Sequence, residues 1–297
     1  GGGAFVSSRM SSSTATEGPS RIGVALFGIG RAGQFHFDNL VTLPQFRLVC
    51  VVDAVVEVAQ SVVRSRAWEV PIVDANDMDA VTKMVLENAE VEAVVVASPT
   101  FTHEQIVRAS IKHGKKLFVE KPLSMTTEGT KECFELAEAA GLPLMVAFQR
   151  RFDPSFAAAR ERAMSGALGP IEVIRSTSRD NPVPPVEYLK ISGGMMHDCV
   201  IHDADMICWH LPDQRPVTVF AQGHAFREQV RSIGDVDTIT VQIQFSKGTL
   251  AMIDVSRIAA YGYDQRLEVF GAKGMAEVGH RTPQAARFSD ASGVHTS

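Results

Sequence analysis

Apolar residues recur along the first half of the chain in short continuous runs separated by amphipathic stretches. Ile22 to Phe27, Phe46 to Val52, Pro71 to Val73, Ala93 to Ala97, Lys116 to Glu120 and Leu144 to Phe148 read as strands. Ala93 to Ala97 is apolar throughout, the pattern of a strand buried on both faces of a parallel sheet. Helical spacing covers the segment after Gly33 and Val55 to Arg64. It returns from Asp77 or Asp79 to Ala89, from Phe101 to His113, and from Thr126 or Thr127 to Gly141. Strand and helix alternate, which predicts an α/β domain with a doubly wound parallel sheet over residues 21–148.

The pattern then changes. Pro154 to Ala167 predicts a helix, Ile171 to Arg179 a strand, Asn181 to Pro185 a loop, and about Gly194 to His210 a helix. Strands follow at Val217 to Phe226, Thr238 to Phe245, Thr249 to Arg257 and Arg266 to Val278. Hairpin turns are signalled at Ser246-Lys247-Gly248 and Ala272-Lys273-Gly274. Thr238 to Phe245 alternates with a period of two, so one face of its sheet is wet or meets another partner. Residues 149–297 therefore read as an α+β domain with an open, mainly antiparallel sheet. Residues 1–20 are Gly/Ser/Thr-rich with little to bury and read as a disordered leader.

Composition narrows the classes. A net charge of −5 gives no sign of a nucleic-acid or membrane-surface partner. No apolar stretch reaches the ~18 residues of a membrane span, and no secretory h-region is present. Cys50, Cys133, Cys199 and Cys208 are scattered without a CxxC, as thiols of a reducing, cytoplasmic compartment are.

Candidate chemistry begins at Leu26-Phe27-Gly28-Ile29-Gly30-Arg31-Ala32-Gly33, a GxGxxG turn between strand and helix. Gly28 permits the turn, Gly30 lets backbone approach a pyrophosphate, and Gly33 lets the helix pack on the strand. The helix N-terminus, with Ile29, Arg31 and Ala32 between the glycines, offers free amides to the phosphates. Asp53 ends the second strand, where an acid accepts from the ribose hydroxyls of NAD and repels the 2′-phosphate of NADP. A plain strand-end or cap residue is the alternative. Ser98-Pro99-Thr100 and Glu120-Lys121-Pro122 also fall at carboxyl ends of parallel strands, where such sheets bind ligands.

Lys121 at that position can bridge a substrate hydroxyl and the cofactor, or simply pair with Glu120. On one helix, Asp198 and His202 share a face, so Asp198 can orient His202 for proton abstraction from an alcohol. The same face can instead be structural or hold a metal, for which a third nearby ligand is wanting. His103 either touches the cofactor or caps and packs. Arg150-Arg151 is either at the site or a surface pair reaching Asp153, and Tyr261 to Asp264 either closes over a ligand or merely turns.

Taken together, Gly28-x-Gly30-x-x-Gly33, Asp53, Glu120-Lys121-Pro122 and Gly193-Gly194 followed by Asp198-x-x-x-His202-Asp203-x-Asp205 resemble the Gfo/Idh/MocA family of sugar and polyol oxidoreductases. The resemblance runs from Arg21 to about Pro283. Phe148 to Asp153, Ser178-Arg179-Asp180, Met195 to Asp205 and Tyr261 to Asp264 are most similar to the inositol-oxidising members.

The resemblance implies a Rossmann domain binding NAD, with the nicotinamide near Lys121. It implies oxidation of a cyclic polyol such as myo-inositol to the ketone. His202 would take the hydroxyl proton, Asp198 would orient it, and Lys121 would polarise the oxygen. Ser98, Pro99, Thr100, His103, Glu120 and Lys121 join the glycine turn at the cofactor; Arg150, Asp180 and Tyr261 match positions near the polyol hydroxyls. It also implies homodimers or homotetramers through the second sheet. Another sugar, polyol or dihydrodiol, and a silent NAD-binding sensor, remain alternatives. Relatives continue past Met275 to Val278 with a strand and a C-terminal helix. Here that continuation is expected to be cut short, leaving an exposed sheet edge.

Overall fold

A computed structural model describes residues 21–279, 285–290 and 293–296, with side chains described through residue 279. The expected disordered leader, residues 1–20, lies outside the described residues. The chain divides into two compact units, Gly1–Val94 and Val95–Ser297.

In the first unit, β1 (Ile22–Phe27) is buried along almost its whole length. It runs parallel to β2, with Ile22 opposite Phe46. Between them α1 (Arg31–Thr42) buries Gly33, Phe37 and Leu40, one helical stripe. After β2 (Phe46–Asp53), α2 (Val56–Ser65) buries Ala59 and Val63. β3 (Ile72–Asp74) pairs parallel to β2. Asp77 caps the next helix, its carboxylate accepting from Ala80 N at 3.0 Å. That helix differs from expectation. α3 spans only Met78–Val81 and continues as a π-turn, Thr82–Leu86, which aims Val85 and Leu86 into the core.

In the second unit β4 (Ala93–Val96), which crosses the boundary, leads to α4 (Thr100–Lys112) and β5 (Lys116–Val119). α5 (Thr127–Ala139) is capped by Thr126 through Gly129 N at 3.0 Å, and β6 (Leu144–Val146) pairs parallel to β5. The first sheet has the order β3-β2-β1-β4-β5-β6. That is the doubly wound arrangement expected.

The second sheet is built on β7 (Ile171–Arg179). α6 (Pro154–Met164), capped by Asp153, precedes it. α7 (Val186–Ile191) and α8 (Ile201–His210) follow. Then come β8 (Pro216–His224), α9 (Glu228–Arg231), β9 (Thr238–Phe245), β10 (Leu250–Ser256), β11 (Asp264–Gly271), β12 (Gly274–Gly279), β13 (Ala285–Asp290) and β14 (Gly293–Thr296). The order is β14-β13-β12-β11-β7-β10-β9-β8, antiparallel except for β7 with β10. Ile239, Val241 and Phe245 face the core with Ile174, Ile253, Met206 and Ile207, while Thr240, Gln242 and Gln244 are exposed, as the alternation required.

Two expectations are corrected here. The strand taken to be missing after β12 is present as β13, and β14 extends the sheet further. The helix expected from about Gly194 to His210 is present but carries a π-turn, Met196–Val200, ahead of α8. The loop expected over Asn181 to Pro185 forms, and α7, with Leu189 buried, follows it.

Candidate active site

In the first unit the glycine turn forms as its residue types require. Gly28 sits at φ +83°, a conformation open to glycine, and its amide donates to Val52 O at 2.7 Å. A Cβ on Gly30 would meet no protein atom within 4 Å, so that side of the turn is clear for a ligand. α1 begins there with no side-chain cap and no acid in its first turn, leaving its amides to an anion. Ile29 is buried, Arg31 exposed and Ala32 half-buried. Asp53 joins this turn: Oδ2 accepts from Ile29 N and Oδ1 from Val55 N, both at 2.9 Å. A carboxylate has about four acceptor sites, so two remain for ribose hydroxyls. These residues fit a dinucleotide.

In the second unit Ser98, Pro99 and Thr100 form the entry to α4, where Thr102 Oγ1 donates to Pro99 O at 2.8 Å and meets Ser98 Oγ at 2.6 Å. His103 is 1% exposed, with Nδ1 2.8 Å from Pro122 O and Nε2 2.8 Å from Ser98 O. It is a strut between the two strand-end loops. Both ring nitrogens are occupied, so the cofactor contact suggested for it is corrected to packing. Glu120 N donates to Val96 O at 2.8 Å, extending the sheet to the lysine.

Lys121 turns to Asp198. Its Nζ donates to Asp198 O at 2.8 Å and to Oδ1 at 3.3 Å. Tyr188 OH donates to the same Oδ1 at 2.8 Å, and Arg257 donates to Oδ2 at 2.8 Å. Burial alone would raise the Asp198 pKa. The Lys121 charge and the Arg257 hydrogen bond outweigh it and hold the carboxyl below the usual carboxylate range.

The anticipated Asp198–His202 hydrogen bond is not made; the carboxylate accepts from Lys121, Tyr188 and Arg257 instead. His202 Nδ1 is buried with no hydrogen-bond partner in the structure. Burial, then the Lys121 and Arg150 charges, push the imidazole pKa down to about 2, so it is neutral at neutral pH.

Arg150 is 7% exposed and donates to Asp203 Oδ1 at 3.0 Å and Ser178 Oγ at 3.1 Å. It is neither a surface residue nor a partner of Asp153, whose carboxylate caps α6. Asp205 pairs with Arg151, Oδ2 accepting from Nε at 2.9 Å. Asp180 lies at the end of β7, within 3.8 Å of Cys199 Sγ.

Tyr261 is 58% exposed and donates to Asp264 Oδ2 at 3.0 Å. Tyr263, 47% exposed, accepts from Gln265 Nε2. It shares with Arg150 and Gln265 the wall of a pocket of about 320 Å³. Sequence reading missed Arg257, Asp235 and Tyr188. An arginine closing the apolar strand Ala251 to Val255 was the one available signal.

Residues 22–148 match a family described as an oxidoreductase family with an NAD-binding Rossmann fold, and residues 156–277 match the GFO/IDH/MocA C-terminal domain. The chain is 35% identical to the inositol 2-dehydrogenase of Rhizobium meliloti (strain 1021), over 90% of this chain and 78% of that protein. It is 37% identical to the myo-inositol 2-dehydrogenase of Thermotoga maritima, over 86% and 73%. The crystal structure of scyllo-inositol dehydrogenase from Lactobacillus casei with bound NAD(H) and scyllo-inositol superposes with a TM-score of 0.78 at 26% identity, covering 93% of this chain and 82% of that one.

Proposed function

Because the chain belongs to the Gfo/Idh/MocA oxidoreductase family, we propose that it oxidises a ring hydroxyl of a cyclic polyol, myo-inositol, to the ketone with NAD⁺. The observation that carries this is Lys121, a buried cation hydrogen-bonded to an ionised Asp198, with the neutral His202 imidazole in the same electrostatic neighbourhood. We assign residues 21–148 to the cofactor and 149–297 to substrate and assembly.

Bound NAD⁺ supplies the hydride acceptor. Gly28 to Gly33 and the first amides of α1 hold its pyrophosphate, and Asp53 accepts from its ribose. The Lys121 ammonium donates to the reacting hydroxyl oxygen and stabilises the negative charge that develops there. His202, neutral, receives the hydroxyl proton on Nε2, since Nδ1 is buried out of reach; burial makes it a weak base, so the Lys121 charge must acidify the alcohol. A neutral base is required, since an imidazolium could accept nothing. Asp198 keeps Lys121 in place and balances its charge. Arg150, Asp180 and Tyr261 recognise the remaining hydroxyls, and Tyr263, in the wall of the pocket that Arg150 lines, joins them.

The outer face of the second sheet supports self-association. β8 is exposed over its full length, with Phe220 65% exposed on the outer face, where Met252 of β10 and Phe270 of β11 are exposed too. Four free thiols, three of them buried, favour the reducing cytoplasm.

The test is absorbance at the NADH band with NAD⁺ and myo-inositol, with scyllo-inositol, D-glucose and NADP⁺ in parallel. NADH formation with an inositol and NAD⁺ supports the reading. Turnover of glucose alone replaces inositol by a sugar, and NADH binding without any turnover makes the chain a sensor.

A further inference from the structure

Arg257 is the largest of the fully buried side chains among the described residues, at 0% exposure. A guanidinium stays charged, so burying it demands anions around it. Two are present. NH1 donates to Asp198 Oδ2 at 2.8 Å, and NH2 donates to Asp235 Oδ2 at 3.3 Å. Asp235 is itself anchored, with Oδ1 accepting from Met195 N at 3.1 Å at the start of the π-turn that carries Asp198. Arg257 N donates to Asp237 O at 2.9 Å, which fixes the backbone just beyond β10. The side chain is thus held by two carboxylates on an anchored backbone, with its Nε buried and unpartnered.

The consequence lies in which oxygen it occupies. Lys121 and Tyr188 share Asp198 Oδ1. Arg257 donates to the other oxygen, Oδ2, while His202 Nδ1 goes unpartnered.

We propose that Arg257 is a positioning residue for the reaction. It holds Asp198 Oδ2, which makes Asp198 a fixed anion for Lys121. This rests on the dehydrogenase reading above. The ionisable groups facing Asp198 are Lys121 from the turn after β5, Tyr188 of α7, Cys199 and His202 on its own helical segment, and Arg257 with Asp235 behind it.

The test compares wild type with Arg257→Met and Arg257→Lys. Losing the cation raises the pH at which Asp198 takes a proton. In the Met variant the acid limb of kcat/KM should move to higher pH by about 1–3 units, the usual effect of one close opposite charge. kcat should fall at least about tenfold, with KM for NAD⁺ little changed. The Lys variant should return the limb toward wild type.

A merely structural arginine would lower the melting temperature and leave the pH profile of the folded protein alone. That result overturns the proposal. The Asp198 carboxyl is also followed directly by ¹³C NMR, assigned by its loss in Asp198→Asn; an unmoved midpoint in Arg257→Met overturns it equally. If the Met variant does not fold, Asp235→Asn takes its place. Releasing Arg257 from its second anion should move the acid limb and the carboxyl midpoint to lower pH, and no movement counts against the proposal. The carboxyl titration needs no turnover. A wild-type protein that oxidises no inositol therefore defeats the dehydrogenase reading alone, and Arg257 is judged on the titration.

Discussion

Replacing Lys121 by Met removes the charge and keeps most of the side chain's volume. Lys121 and Asp198 side chains are 15% and 11% exposed, and their charges lie 3.3 Å apart. At an effective dielectric of about 20, that separation corresponds to a gross attraction of about 5 kcal/mol. Much of it is offset by the cost of desolvating both groups. Arg257 and Tyr188 still hold Asp198 in the variant, so the net loss of stability should be about 1–2 kcal/mol, below the cost of stranding a buried charge.

The effect on catalysis is larger. A charge-assisted donor to a developing oxyanion contributes about 10²–10³ in rate. Lys121→Met should therefore lower kcat by about that factor. NADH binding, read by fluorescence, should stay within a few-fold of wild type. Stability should also become less acid-sensitive, from a lower starting value. A carboxyl held below its ordinary value stabilises the fold fully above that value and loses the contribution as pH falls through its folded one. With Lys121 gone the folded value rises, so the contribution shrinks. A variant that folds, binds NADH and keeps kcat within threefold of wild type would refute the role given to Lys121.

Three further outcomes are expected. Asp53→Ala should weaken NAD⁺ by about tenfold or more and NADP⁺ much less, measured by fluorescence titration, because the charge facing the 2′-position is lost; an unchanged NAD⁺/NADP⁺ ratio would end the ribose assignment. His202→Gln should lower kcat by about 10²–10⁴ as a proton acceptor is removed, and a change confined to KM would make it a binding residue instead. Stability should fall as pH drops below about 6.5, because burial holds His202 at about 2 and His210 at about 4, so the unfolded chain takes up protons that the folded one refuses. Each histidine should cost about 2 kcal/mol between pH 7.5 and 5. Urea midpoints would show the slope, and His210→Gln should remove about half of it.

The pieces of this protein that rest on local rules are written in its sequence. β1, the glycine turn and the start of α1 follow from neighbouring residues, because a left-handed turn needs Gly28 and a helix stripe needs Phe37 and Leu40 at fixed spacing. Asp53 and Lys121 were placed by the ends of apolar strands, again a local signal. Partner choice is not local. Asp198 lies four residues from His202, and helical spacing made them a pair. In the fold it answers instead to Lys121, 77 residues earlier, and Arg257, 59 later. Two cations reaching a buried carboxylate outcompete a neutral imidazole, and the chain must be folded before either can arrive. His103 became a strut for the same reason, since Pro122 O comes within 2.8 Å of it only through packing. Tyr261 and Tyr263 stand two apart in one loop, and only the fold brings Tyr263 to the wall of the pocket that Arg150 lines. Periodicity and turn chemistry thus determine elements and their ends; which charged groups meet at the site is settled by long-range packing, where desolvation makes every buried charge depend on residues far away in sequence.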